Sequence, residues 1–97
     1  MMASKAGVVG LTRVLALELG RDQIFVNAIA PGLIDTNLTR SLKENVLNNL
    51  IEAQPTKEMG TPEDIAHCVS FLSDQRTHFI TGQTIYVDGG KSIGSSM

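Results

Sequence analysis

Apolar positions recur at helical spacing in three stretches of the chain and run together in two others. Over residues 3–20, Val9, Leu11, Val14, Leu15 and Leu17 make a broad apolar face, and Gly20 is a stop signal, so the spacing predicts a first helix. Ala3, Ala6, Gly7 and Gly10 add a stripe of small residues to it. A glycine in a helix interior costs about 1 kcal/mol relative to alanine, so the stripe is expected to meet a second helix or a sheet at close range. Residues 24–30 are almost continuously apolar, which predicts a parallel strand covered on both faces and ended by Pro31-Gly32. Leu42, Val46, Leu47, Leu50 and Ile51 predict a second helix within residues 39–52, and residues 55–60 read as a loop. Thr61-Pro62-Glu63-Asp64 is a helix start, with threonine as cap, proline at the first position and acids in the first turn. Ile65, Ala66, Val69 and Leu72 form that helix's apolar face. Thr81-Gly82 turns into a second buried strand, residues 83–87, closed by Asp88-Gly89-Gly90, and residues 91–97 are expected to be a mobile tail.

Helix, strand, helices, strand is the order found in half of a doubly wound α/β sheet. Two parallel strands do not make a stable sheet alone, so one strand flank is expected to stay open.

Composition narrows the function classes. Ninety-seven residues allow one small domain, and 42% hydrophobic with 19% charged residues is globular. The net charge of −2 comes from scattered groups of both signs, with no basic stripe for nucleic acid. The apolar run Val14-Leu15-Ala16-Leu17 is too short to span a bilayer, and the chain reads as cytoplasmic. Cys68 is read as a small buried hydrophobe, His67 and His78 stand alone, and no cluster has metal-ligand spacing. Asn37-Leu38-Thr39 is formally a glycosylation acceptor but reads as a polar loop.

Candidate chemistry gathers at Lys5, in the first turns of the first helix. A tyrosine one turn earlier would face the same side, and the ammonium would pull its phenol pKa down from about 10 toward neutrality. That position holds Met1, whose thioether neither donates nor accepts a proton. A second candidate is Pro31-Gly32, at the carboxyl end of a parallel strand, where open α/β sheets bind ligands. The glycine lets a flat ring approach the main chain.

Ala3-Ser4-Lys5-Ala6-Gly7, Val26-Asn27-Ala28-Ile29-Ala30-Pro31-Gly32, Thr36, Thr61-Pro62-Glu63-Asp64-Ile65-Ala66, Ile80-Thr81-Gly82-Gln83 and Val87-Asp88-Gly89-Gly90 follow one another in an order and spacing that resemble the C-terminal part of short-chain dehydrogenases/reductases. The flavour is that of the 3-oxoacyl-acyl-carrier-protein reductase type, and the likeness covers residues 1–90. It implies a Rossmann-like fold, NAD or NADP as cofactor, and a small-molecule carbonyl or alcohol substrate. It implies that Met1 stands at the position of the catalytic tyrosine and that Lys5 binds the nicotinamide ribose hydroxyls. It further implies that Pro31 to Thr36 line the nicotinamide, with the Ile34 backbone on the carboxamide and the Thr36 hydroxyl on the carboxamide or phosphate region. Residues 37–60 match the substrate loop, and the last strand region implies a homo-oligomer about a two-fold axis.

The chain contains no glycine-rich phosphate loop, no ribose-discriminating residue, and no catalytic serine or asparagine of the family pattern. Two expectations follow. In the first, residues 1–97 are the C-terminal portion of an NAD(P)-dependent oxidoreductase and are silent alone. In the second, the chain is a non-catalytic dimerisation or interaction module descended from that family.

Overall fold

The computed structural model describes residues 2–94; Met1 and residues 95–97 fall outside that description, as do the side chains of Met2 and Ala3. The elements in order are α1 (Met2–Leu19), β1 (Ala28–Pro31), α2 (Asn37–Arg40), α3 (Glu44–Glu52), α4 (Pro62–Ser73), β2 (Thr84–Val87) and α5 (Lys91–Gly94). β1 and β2 form a two-stranded sheet. Ala28 N–H donates to Gln83 C=O at 2.9 Å and Gly32 N–H to Val87 C=O at 2.9 Å, so partner numbers climb together and the pairing is parallel. The architecture is α/β, a partial Rossmann-like sheet with its helices. Both strands are shorter than their apolar runs and only half-buried, not covered on both faces as expected.

The chain divides into two compact units, Met1–Ile29 with Cys68–Ile85, and Ala30–His67 with Tyr86–Met97. In the first, α1 ends at Leu19, a 3₁₀ turn spans Gly20–Asp22, and Gln23 takes a left-handed φ of 60° that stops the helix. The buried side of α1 is Thr12 and Ala16, four apart, rather than the expected leucine and valine face. At Ala16 the reason is the Thr81-Gly82 turn, since a Cβ on Gly82 would lie only 3.3 Å from the Ala16 Cβ and a small residue fits there. The Thr12 hydroxyl is satisfied inside the helix, on the Val8 carbonyl at 2.7 Å. Leu11, Val14 and Leu17 lie exposed, Leu17 at 83%. Ala6, Gly7 and Gly10 are exposed too, and neither glycine has an atom within 4 Å of a built Cβ, so the expected close contact is not made among the described residues. Phe25, Asn27 and Ile29, on alternate positions, line a hollow of about 310 Å³ with Val69, Leu72 and Ser73 of α4. Cys68 is half-buried, less so than expected.

In the second unit the helix expected over residues 39–52 is two helices. The Ser41 hydroxyl bonds the Leu38 carbonyl, and Leu42 N–H turns to the Thr39 carbonyl, so the helical ladder closes tightly and stops. α3 then buries Leu47, with Leu50 and Ile51 half-buried. α4 starts as its sequence predicts: Thr61 Oγ1 accepts from Asp64 N–H at 3.2 Å, and Asp64 Oδ2 accepts from Thr61 N–H at 2.8 Å, a reciprocal capping box. The chain after β2 is not featureless, because Lys91–Gly94 forms a helical turn.

Candidate functional site

Lys5 stands on α1, exposed, and makes no hydrogen bond or ion pair among the described residues. Met1, the position paired with it in the sequence, lies outside those residues. Pro31, Gly32, Ile34 and Thr36 all belong to the second unit, where the structure brings them together in one tied loop.

Gly32 is needed for a reason internal to the fold. A Cβ there would meet Asp88 Cα and Cβ at 2.7 Å, so the segments leaving β1 and β2 approach too closely for any other residue. Two residues on, Ile34 forms a parallel bridge with Gly60. Gly60 N–H donates to Leu33 C=O at 2.9 Å and Asp35 N–H donates to Gly60 C=O at 2.8 Å. In a parallel bridge of this kind the central residue turns its own N–H and C=O the other way. The Ile34 carbonyl accepts the Thr39 hydroxyl at 2.8 Å, whereas the Ile34 N–H has no partner among the described residues.

Thr36 caps α2, and its box partner is Thr39, three positions on. Thr36 N–H donates to Thr39 Oγ1 at 2.8 Å, and Thr39 N–H donates to Thr36 Oγ1 at 3.3 Å. The loop is then clamped from outside. Arg40 donates Nε to Asp35 Oδ1 at 2.7 Å and an η nitrogen to Oδ2 at 2.8 Å, the bidentate fork that suits guanidinium and carboxylate. That hydrogen bonding holds the Asp35 carboxyl below its ordinary pKa.

The carboxyl end of β2 is tied in the same manner. Asp88 Oδ1 accepts from Gly90 N–H at 3.0 Å and Oδ2 from Ser92 N–H at 2.9 Å, which caps α5. Burial pushes the Asp88 pKa up, but the bonds from Ser92 and Gly90 outweigh it and the net direction is down. A hollow of about 150 Å³ lies within this unit, bordered by Leu33, Gln54, Met59, Asp64 and Asp88. It is below the size of small-molecule pockets, about 300 Å³ and upward, and Asp64 and Asp88 are both committed to helix caps.

Thr39, Asp35, Arg40 and Asp88 are the residues that sequence reading passed over as parts of this loop system. The Thr36-x-x-Thr39 spacing was a readable signal for a box. The Asp35–Arg40 pair was not, because it depends on the turn between them. Thr39, formally the acceptor-motif threonine, has its hydroxyl engaged on Ile34 and Thr36.

The Ile34 N–H, without a partner among the described residues, lies just beyond the carboxyl end of a parallel strand, which is where open α/β sheets bind ligands. A family model described as Enoyl-(Acyl carrier protein) reductase matches residues 1–92. The chain is 50% identical over 91 residues to the (2S)-[(R)-hydroxy(phenyl)methyl]succinyl-CoA dehydrogenase subunit BbsD of Thauera aromatica, covering 94% of this chain and 37% of that protein. It is 44% identical over 92 residues to the 3-oxoacyl-acyl-carrier-protein reductase MabA of Mycobacterium tuberculosis, covering 95% and 37%. To the 3-oxoacyl-acyl-carrier-protein reductase FabG of Staphylococcus epidermidis it is 45% identical over 89 residues, covering 92% and 36%. The chain belongs to the short-chain dehydrogenase/reductase family, with 3-oxoacyl-acyl-carrier-protein reductases among its relatives. It spans little more than a third of the length of the curated relatives it matches.

Proposed function

We propose that these residues are the C-terminal portion of an NAD(P)-dependent oxidoreductase that moves hydride between a nicotinamide cofactor and a ketone or secondary alcohol. The substrate class is a 3-oxoacyl or 3-hydroxyacyl thioester. The names of the relatives favour it: one carries a hydroxyl on the carbon next to the thioester's α-carbon, and the others act on 3-oxoacyl groups. The observation that carries the reading is the free Ile34 N–H beyond β1 with the Thr36 hydroxyl two residues away. A carboxamide oxygen is an acceptor, and this loop offers donors, so the residues present fit that end of the cofactor. Bound there, the nicotinamide supplies or receives the hydride.

Within this reading Lys5 holds the nicotinamide ribose hydroxyls and lowers the pKa of a phenol supplied at the position of Met1, while Pro31, Gly32, Ile34 and Thr36 line the ring and carboxamide. The protein works in the cytoplasm as a homo-oligomer built through the C-terminal strand region. No described helix is long and apolar enough to cross a membrane. The 97 residues alone supply no tyrosine before Lys5 and no glycine-rich phosphate loop, so by themselves they are silent.

The test joins residues 2–97 to the part of the M. tuberculosis relative that precedes the matched segment, with tyrosine four residues before Lys5. The chain alone is expected to leave NADH and NADPH unoxidised with a 3-oxoacyl thioester, and the folded fusion to oxidise one of them. Lys5→Met in the fusion is expected to lower turnover by roughly 10²–10⁴. A folded but silent fusion overturns the functional reading. Turnover by the 97 residues alone overturns the assignment of the proton donor.

A further inference from the structure

Two glycines of the turn after β2 meet the same side chain. A Cβ built on Gly90 would lie 3.2 Å from Pro55 Cγ and 3.4 Å from Pro55 Cβ, and one built on Gly94 would lie 3.4 Å from Pro55 Cγ. Gly90 and Gly94 stand four apart, and Gly94 N–H donates to Gly90 C=O at 3.2 Å, so they share one face of a helical turn and offer the ring a bare floor. Gly90 also has a φ of 86°, which a side chain would strain. At Gly89 the neighbour is the Thr56 hydroxyl, which can rotate away, whereas a proline ring cannot. The floor itself is fixed by Asp88, whose carboxylate accepts from Gly90 N–H and Ser92 N–H.

Pro55 is stiffly joined to α3. Gln54, 4% exposed, donates Nε2 to Leu50 C=O at 3.3 Å. Lys57 N–H returns to Gln54 C=O at 3.0 Å, and the Lys57 ammonium donates to Glu52 C=O at 2.7 Å, so the last carbonyls of the helix are held. Gln54 and Thr56 border the same hollow as Leu33, Val87 and Asp88, which stand at or just beyond the ends of β1 and β2. The end of α3 therefore lies over the carboxyl end of the sheet, where open α/β sheets bind ligands. We propose that Pro55 is a positioning residue: seated on Gly90 and Gly94, it sets where α3 lies over that end, so the turn after β2 fixes the arm that covers bound substrate. What the arm covers rests on the functional reading above; the seat itself does not.

Amide exchange tests the seat in the 97-residue chain. Gly94→Leu drives a wedge at the ring from a site distant in sequence. The Ala53, Gln54 and Lys57 amides are expected to exchange about fourfold faster, the worth of about one buried methylene. The Ser92 amide, bonded to Asp88, and the Asp35 amide, bonded to Gly60, are expected to keep their rates. Gly94→Ala, whose added carbon makes only van der Waals contact, is the size control and is expected to keep every rate. Unchanged Gln54 and Lys57 amides in Gly94→Leu overturn the proposal, as does an alanine as disruptive as the leucine. Should Gly94→Leu unfold the turn and speed Ser92 as well, Pro55→Ala decides: it is expected to speed the α3 amides and spare Ser92, and any other pattern overturns the proposal. In the active fusion, Gly94→Leu is expected to raise the KM for the 3-oxoacyl thioester about tenfold, within the roughly 10²-fold that a misplacement of about 1 Å costs, and to leave the KM for the reduced dinucleotide unchanged. An equal rise in both is a merely structural loss and overturns the positioning role. A fusion silent with Gly94 intact overturns the functional reading, while the amide pattern still decides the seat.

Discussion

The two compact units use the same residue in opposite ways. In the second, glycines sit at close approaches: a Cβ would stand 2.7 Å from the Asp88 backbone at Gly32, 2.5 Å from Thr56 Oγ1 at Gly89 and 3.0 Å from the Ile34 side-chain tip at Gly60. In the first, Gly7, Gly10 and Gly20 have nothing within 4 Å of that added atom, and Gly82 alone meets a neighbour, the Ala16 Cβ at 3.3 Å. Close backbone approach is thus concentrated where the chain leaves its strands, which is where ligand-binding loops of open α/β sheets are held. The glycines of α1 carry the helix-propensity cost of close packing without the packing, and Leu11, Val14 and Leu17 beside them lie exposed. Under the proposed function, residues of a longer polypeptide cover that helix.

The sharpest way to break the comparison is to add the missing carbon in both places. Gly32→Ala drives a Cβ into the Asp88 backbone, which a side-chain rotation does not relieve, and is expected to destabilise the chain by about 2–3 kcal/mol in urea unfolding. A substitution that leaves the midpoint unchanged would show that the strand ends are free to part. Gly7→Ala and Gly10→Ala, on the open face of α1, are each expected to stabilise the chain by about 0.5–1 kcal/mol, through helix propensity alone. In the fusion described above the sign is expected to reverse, because the face is then covered. Equal gains in chain and fusion would mean that the small-residue stripe meets nothing in either.

These differences mark how far the sequence was legible. The α4 start was fully readable, because a capping box lies within four consecutive residues and needs no tertiary information. The apolar runs located both strands but not their ends, which depend on where the partner strand stops pairing. The α1 face was misjudged because periodicity ranks leucine and valine above threonine and alanine. The Gly82 turn comes close at Ala16, where a small residue fits, and Ala16 is buried with Thr12 one turn earlier. The motif proposes Pro31, Gly32, Ile34 and Thr36 as site residues but does not disclose Gly32's neighbour in the fold, Asp88, since the two lie far apart in sequence. Lys5 is proposed on the same likeness, and it stands exposed on α1.

The smallest expected effect is a dependence on acid. Asp88 caps α5 through Gly90 and Ser92, and its pKa in the folded chain lies below the ordinary aspartate value. A carboxyl whose folded pKa is lowered contributes stability that is fully present above the unfolded value, about pH 4, and is lost as pH falls through the folded value. Urea midpoints are therefore expected to fall below about pH 4, and Asp88→Asn to flatten that fall while lowering the midpoint at neutral pH, since an amide offers only one acceptor oxygen to the two backbone N–H groups. Asp35 titrates in the same direction through its exposed pairing with Arg40, so the series is run in high salt, where exposed ion pairs are screened and the backbone bonds to Asp88 persist. If the acid slope of Asp88→Asn in salt matches that of the unaltered chain, the turn after β2 is not held by its carboxylate.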